Sequence, residues 1–258
     1  MFRRIRDELV HTVAHGDGPT AIVGLAGVFG NVELWQQPFE ILHRRHRTIA
    51  FDHFGTGETR VAPDRVSFDE QVSLVADVLD SFEVERCLLA GDSSFASVAV
   101  AVAHRWPERI DGLVLVGARM EHTADERTQR FVVGLREAFT PTLEGFVTVC
   151  LPEDDDGHLR RWLTDIIART GAERAASLVE SFYGIDVRPL LPSLQVPVLV
   201  IHGALDRINP LRIAHEVADQ VQDAELVVLD DAGHVPTLSR PEAVATAIDD
   251  FAHRITAT

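Results

Sequence analysis

Lysine is missing from this chain: all 24 of its basic side chains are arginine. That excludes a Schiff-base lysine, covalent attachment of pyridoxal phosphate and the lysine of a phosphate-binding P-loop. No G-x-G-x-x-G run follows an apolar stretch, so a dinucleotide cofactor has no footing and no cofactor is expected. Cysteine is scarce. Cys87 and Cys150 stand in no C-x-x-C or metal-type spacing, which argues against a disulfide framework. No apolar run approaches the length of a bilayer span, and the N-terminal "MFRRIRDELVHT" lacks the apolar core of a secretory signal. Basic charge is also short. The 24 arginines face 40 carboxylates, for a formal net charge of −16, so neither nucleic acid nor an anionic membrane is an expected partner. A cytoplasmic location is the expectation, and a homodimer is left open.

What is present is a rhythm. At 258 residues the chain fits one large domain, or one domain with an insertion. Seven β-branched or leucine-rich runs read as strands: "LVHTVA", "AIVGLA", "RTIAFD", "RCLLAG", "DGLVLVGA", "VPVLVIHG" and "AELVVLD". Amphipathic stretches lie between them, such as "FDEQVSLVADVLDSF", "SFASVAVAVAHRW" and "RPEAVATAIDDFAHRI". The alternation predicts an α/β fold with a mostly parallel central sheet of about eight strands flanked by helices. It breaks once. From Arg119 to Leu194 only helical stretches appear ("ERTQRFVVGLREAF", "LRRWLTDIIART", "AERAASLVESFYG"), with an acidic loop, "PEDDDG". Residues 1–118 and 195–258 therefore read as the core, and 119–194 as a helical cap inserted late in the sheet.

Three polar residues each follow a different strand segment: Ser93 after "CLLAG", Asp206 after "VLVIHGAL" and His234 after "LVVLDDAG". In an open parallel sheet such positions converge at the carboxyl ends of the strands, where ligands bind. A serine hydroxyl is a weak nucleophile until a base takes its proton, and histidine titrates in the right range. A carboxylate then fixes the imidazole tautomer. The local string "LLAGDSSFAS" alone leaves Ser93 open between a nucleophile and a helix N-cap, which serine also favours. Ser94 is a competing register, because Ala96 would then supply the small residue two positions on.

Together the segments resemble the α/β-hydrolase fold superfamily, in particular serine esterases and enol-lactonases, from about Gly24 to Phe251. "VGLAGVFGNVELW" is similar to the oxyanion segment, "FDHFGTGET" to the D-x-x-G-x-G turn and "LLAGDSSFA" to the nucleophile elbow. "HRWPERIDGLVLVGA" matches the following helix end and strand, "VPVLVIHGALDRINP" carries the acid and "LDDAGHVPTLSRPEAV" the histidine. The serine, acid, histidine order is that of the superfamily, and the spacing to "WPER" favours Ser93 over Ser94. The resemblance implies a Ser93–His234–Asp206 triad and an oxyanion hole of the Val28 and Ser94 backbone N–H groups, with Ala26-Gly27 where relatives usually carry His-Gly. It implies hydrolysis of a carboxylic ester or lactone of a small to medium, largely apolar small-molecule substrate through an acyl-enzyme. Alternatives on the same residues are a C–C bond hydrolase or a thioesterase. A non-catalytic ligand-binding receptor on the same scaffold is another, since fold does not guarantee activity. A dehalogenase or epoxide hydrolase is disfavoured, because Asp92 is one residue out of register for their nucleophile.

Phe95 stands where the elbow usually has a small residue. With Trp35 and Arg119 it is a candidate substrate contact, although core packing explains aromatics equally well. Arg119, Glu121 and His122 open the cap, where surface pairing is the simpler reading. Asp52, Gly55 and Gly57 read as a turn, and Asp230 and Asp231 as a strand end. His43 and His46 in "HRRH" have the i, i+3 spacing of a metal pair but no third ligand, so a solvated basic turn is expected and no metal. "EDDDG" reads as a solvated loop, lacking calcium-ligand spacing.

Overall fold

Uninterrupted apolar runs suit strands buried on both faces, and the chain uses them that way. The computed structural model describes residues 1–62 and 65–256; residues 63, 64, 257 and 258 of the expected core lie outside the described residues. Eight strands form one sheet: β1 (Phe2–Ile5), β2 (Glu8–His15), β3 (Ala21–Leu25), β4 (Arg47–Phe51), β5 (Cys87–Asp92), β6 (Ile110–Val116), β7 (Val198–Gly203) and β8 (Ala224–Leu229). Their order is β1-β2-β4-β3-β5-β6-β7-β8. The pairs β1/β2 and β2/β4 are antiparallel and the others parallel. Leu113 and Leu115 of β6 and Val198 and Val200 of β7 join one buried cluster. Their neighbours Val114, Val116, Leu199 and Ile201 join the cluster on the opposite face.

The helices that cover these faces start from ordinary local signals. Helix α1 (Gln36–Leu42) leads from β3 to β4, and α2 (Phe68–Ser81) from β4 to β5. Ser67 caps α2 by accepting from the Glu70 N–H, with Asp69 and Glu70 in the first turn, where the helix dipole favours acid. Helix α3 (Phe95–Arg105) follows β5 and is almost wholly buried. The seven apolar runs each supply a strand. β1 was hidden by its arginines, and Arg3 holds it to α2 by bonding the Ser81 carbonyl and covering the Phe82 ring at 3.7 Å.

Between β6 and β7 come α4 (Glu126–Glu137), α5 (Phe139–Cys150), α6 (His158–Ala168) and α7 (Ala172–Ser181). Helix α5 was not anticipated. Its "FTPTLEGFVTVC" has a proline and several β-branched residues, and is helical because Pro141 falls in the first turn, where no N–H is needed, and Leu143, Val147 and Cys150 are buried. The two ends of the insertion are tied together. Glu121 bridges Asp186, His122 N–H donates to the Ile185 carbonyl, and Val187 N–H to that of Met120. After β7 the chain adds α8 (Arg212–Gln220), β8, the short α9 (Pro236–Ser239) and α10 (Pro241–Thr256). No helix among the described residues is long and apolar enough to cross a membrane.

From β3 the chain first moves toward one edge, to β4, and then returns past β3 to β5 on the other side. The carboxyl ends of β3 and β5 are therefore the topological switch point, where the diverging loops leave a crevice. The segments after β3 and β5 are those containing Val28 and Ser93.

Candidate active site

Ser93 follows β5 with φ = +54°, a left-handed conformation that costs an ordinary residue energy. The turn is so tight that a Cβ on Gly91 would lie 2.7 Å from the Phe95 carbonyl oxygen and 2.8 Å from Ala96 Cα. The N-cap position of α3 belongs to Ser94, whose side chain makes no capping bond. The Ser93 hydroxyl instead lies 2.9 Å from His234 Nε2, and His234 Nδ1 lies 2.8 Å from Asp206 Oδ2. The other Asp206 oxygen, Oδ1, accepts from the Ile208 and Asn209 N–H groups at 2.8 and 2.9 Å. With that carboxylate fixed, His234 donates from Nδ1 and accepts from Ser93 at Nε2.

Burial alone would lower the His234 pKa. The Asp206 charge, its hydrogen bond and the nearby Asp92 outweigh burial and hold it above the ordinary value. Burial would raise that of Asp206, but His234, the Asn209 N–H and His202 together hold it below the usual carboxylate range. Asp92 behaves differently. Burial, with the Asp206 charge adding to it, pushes its carboxyl up to about 7, against the pull of His234 and the Gly27 N–H. Out of register for a nucleophile, it is a buried carboxyl beside Gly27 of the loop after β3, with Oδ1 lacking a hydrogen-bond partner among the described residues.

Val28 and Ser94 line the same cavity as Ser93, and among the described residues neither N–H has an acceptor. The loop bearing Val28 is held from behind. His53 Nε2 donates to the Ala26 carbonyl at 3.0 Å, and burial lowers the His53 pKa to about 3, so its ring is neutral at pH 7.

Phe95 and Trp35 are corrections: neither lines the cavity. Phe95 is fully buried and turned into the core, stacked on His53 with centroids 3.6 Å apart and packed edge-on against Phe182. The helix tolerates a large side chain because the ring is buried against His53 and Phe182 rather than lining the cavity, and it backs the histidine that holds Ala26. Phe95→Ala is therefore expected to cost about 3–5 kcal/mol of stability, read as a lowered urea midpoint. A loss under about 1 kcal/mol would mean that the site collapses around the smaller residue. Trp35 is fully buried against Phe39 and Gly24, where a Cβ on Gly24 would meet the indole at 2.7 Å. Arg119 does line the cavity, with Glu121 and His122.

Two further expectations change. "EDDDG" is not a freely solvated loop. Glu153 Oε1 accepts from the Gly233 N–H at 2.8 Å, beside the Cys150 carbonyl that accepts from His234 N–H at 2.8 Å. The α5–α6 connection thus holds the histidine loop, and Asp154 accepts from the Arg160 N–H at the start of α6. No signal in the sequence paired Glu153 with Gly233, which lie far apart along the chain. In "HRRH", His46 is buried rather than solvated: it bonds Asp249 through Nε2 at 2.8 Å, while His43 bonds the Phe39 carbonyl. The Asp52 turn holds as expected, its carboxylate accepting from the Val32 and Glu58 N–H groups. Asp231 is exposed and paired with Arg240, away from His234.

The cavity measures about 490 Å³. Its floor is Ser93, Ser94 and Val28. Phe131, Phe146, Val179 and Phe182, from the chain between β6 and β7, supply apolar wall.

Comparison with known proteins agrees with this architecture. The family model described as the alpha/beta hydrolase family matches residues 13–247. A pimeloyl-(acyl-carrier protein) methyl ester esterase of Nitrosomonas europaea is 30% identical, over 93% of this chain and 98% of its own length. A 3-oxoadipate enol-lactonase of Acinetobacter baylyi is 25% identical, over 92% and 90% respectively. Among solved structures, an esterase from Exiguobacterium antarcticum superposes with a TM-score of 0.91 at 17% identity, covering 97% of this chain and 98% of that one. With a single family model covering nearly the whole chain and this sheet order beneath it, the protein belongs to the alpha/beta hydrolase family.

Proposed function

We propose that the protein is a serine hydrolase that cleaves a carboxylic ester or lactone whose body is small to medium and largely apolar. The observation that carries this reading is the continuous chain Ser93 Oγ, His234 Nε2, His234 Nδ1, Asp206 Oδ2, with steps of 2.9 and 2.8 Å, opening into the cavity. The relatives named esterase and enol-lactonase support the same bond class.

In this reaction Ser93 Oγ attacks the carbonyl carbon as its proton passes to His234 Nε2. The Val28 and Ser94 N–H groups receive the negative charge that develops on the carbonyl oxygen; in comparable enzymes removing one such donor costs roughly 3 kcal/mol. Collapse of the tetrahedral intermediate expels the alcohol, which takes the proton from His234 and leaves an acyl group on Ser93. Water, deprotonated by His234, then releases the acid. The insertion from α4 to α7 acts as a cap whose aromatic side chains bind the substrate body.

The test is covalent. A fluorophosphonate probe is expected to add once, at Ser93, and to abolish hydrolysis of p-nitrophenyl butyrate in proportion to labelling. Absence of both labelling and ester turnover overturns the reading in favour of a ligand-binding receptor. Adduct on Ser94 instead would overturn the assignment of the nucleophile.

A further inference from the structure

The chain as a whole is strongly acidic, with 24 arginines against 40 carboxylates. The cavity is not. Its lining carries four arginines, Arg119, Arg127, Arg188 and Arg212, against three carboxylates, Glu121, Asp125 and Glu216. Reversal of the charge balance at the one place where substrate would sit calls for a local explanation.

Among the described residues two of the four, Arg119 and Arg127, have no carboxylate partner, and of these two Arg119 is the half-buried one anchored beside Ser93. Arg188 is paired with Glu121 and Asp186 at 2.9 and 2.7 Å, and Arg212 with Glu216 at 2.8 Å. Asp125 is engaged at the start of α4, accepting from the Thr128 N–H and the Thr123 hydroxyl. Arg119 is different. Its Nε donates to the Glu121 carbonyl at 3.0 Å, and among the described residues its two terminal nitrogens have no carboxylate partner. Its own N–H donates to the Ser93 carbonyl at 3.1 Å, which fixes the start of its side chain to the nucleophile turn. The residue is half-buried, and its Nε bond lies at the exposed end of the side chain. Exposed Arg127 lies near enough to add positive field, while the charges of Glu121 and Asp125 partly offset it.

A guanidinium with one nitrogen anchored and its outer edge free presents the forked donor geometry that fits a carboxylate. We infer that Arg119 is an anion-recognition residue, and that the natural substrate is an ester or lactone carrying a carboxylate at the end remote from the scissile bond. The apolar walls hold the body of such a molecule, and Arg119 selects its charged end. The inference rests on the ester-hydrolase reading and narrows its substrate class. It also corrects the expectation that Arg119 is spent on surface pairing.

The experiment compares kcat/KM for p-nitrophenyl butyrate with that for mono-p-nitrophenyl esters of straight-chain dicarboxylic acids of increasing length. It uses the wild type, Arg119→Gln and Arg119→Lys, each checked for thermal unfolding. For the best chain length the wild type is expected to prefer the acidic ester by at least about 10-fold, the scale of one charge-assisted contact. Arg119→Gln is expected to bring that ratio close to one, chiefly through KM, and Arg119→Lys to retain part of it. A ratio unchanged in Arg119→Gln, or a wild type that prefers neutral esters at every length, overturns the inference while leaving the hydrolase reading intact. If no ester is turned over and Ser93 is not labelled, the hydrolase reading fails. The inference is then decided by binding: glutarate raises the melting temperature of the wild type and not that of Arg119→Gln if Arg119 recognises anions, and raises neither or both equally if it does not.

Discussion

Ser93→Ala is expected to lower kcat/KM for p-nitrophenyl butyrate by about 10⁵-fold or more, the scale seen when a serine nucleophile is removed from such a relay. The size follows from the covalent route. Without Oγ there is no acyl-enzyme, and only the two backbone donors and the binding of the ester body remain to lower the barrier. Residues that act as one unit are strongly non-additive. Ser93→Ala with His234→Ala should therefore be no slower than Ser93→Ala alone, within a few-fold. The fold should persist, because alanine at φ = +54° carries much the same backbone strain as serine. Steady-state kinetics and thermal unfolding of the wild type and the two variants check this. A loss of less than about 100-fold, with the fold intact, would place the chemistry elsewhere.

Asp206→Asn is expected to cost about 10⁴-fold in kcat, the scale seen when the orienting carboxylate of a triad becomes an amide. Asp206 Oδ1 accepts from the Ile208 and Asn209 N–H groups, so the asparagine carbonyl remains in that place and its NH₂ faces His234 Nδ1. Nδ1 must then accept. The proton moves to Nε2, which can no longer take one from Ser93. The pH profile separates this from a loss of packing. Neutral His234 is the active form, so kcat/KM falls as pH drops through its pKa. In the wild type burial lowers that pKa, but the Asp206 charge and hydrogen bond, aided by Asp92, raise it further, so the acid limb is displaced upward from that of an ordinary histidine. Without the Asp206 charge, burial dominates and the limb moves to lower pH. A limb that stays in place, with a loss under about 10-fold, would show that Asp92 and not Asp206 holds the imidazole.

Much of the site was legible because its chemistry is written one residue at a time. Ser93, Asp206 and His234 each follow an apolar run, and a run that must be buried on both faces is recognisable without knowing its neighbours. The seven runs that became β2 to β8 needed no tertiary information. Strand β1 did, since "FRRI" is a strand only because a neighbouring strand and the Phe82 ring accept it. Helix α5 did as well, its propensity being poor and its apolar face buried by the rest of the insertion.

The aromatic and charged residues were harder, because composition says which side chains exist and not which way they point. Phe95 is next to the nucleophile turn in sequence, yet its ring is in the core behind His53. Trp35 closes the segment after β3 and packs against Phe39 and Gly24. Glu153 sits in an acidic run that reads as solvated and instead holds the backbone before His234.

By itself, then, the sequence determined the sheet-and-helix alternation and placed a serine, an acid and a histidine each after its own apolar run, since periodicity and residue chemistry are local properties of a chain. Only the tertiary structure decided which serine takes the strained turn, what stands behind the loop after β3, and which of the four cavity arginines lack a carboxylate among the described residues. Those are facts of distance between residues far apart in sequence, set by packing and by the competition of each charge for a partner.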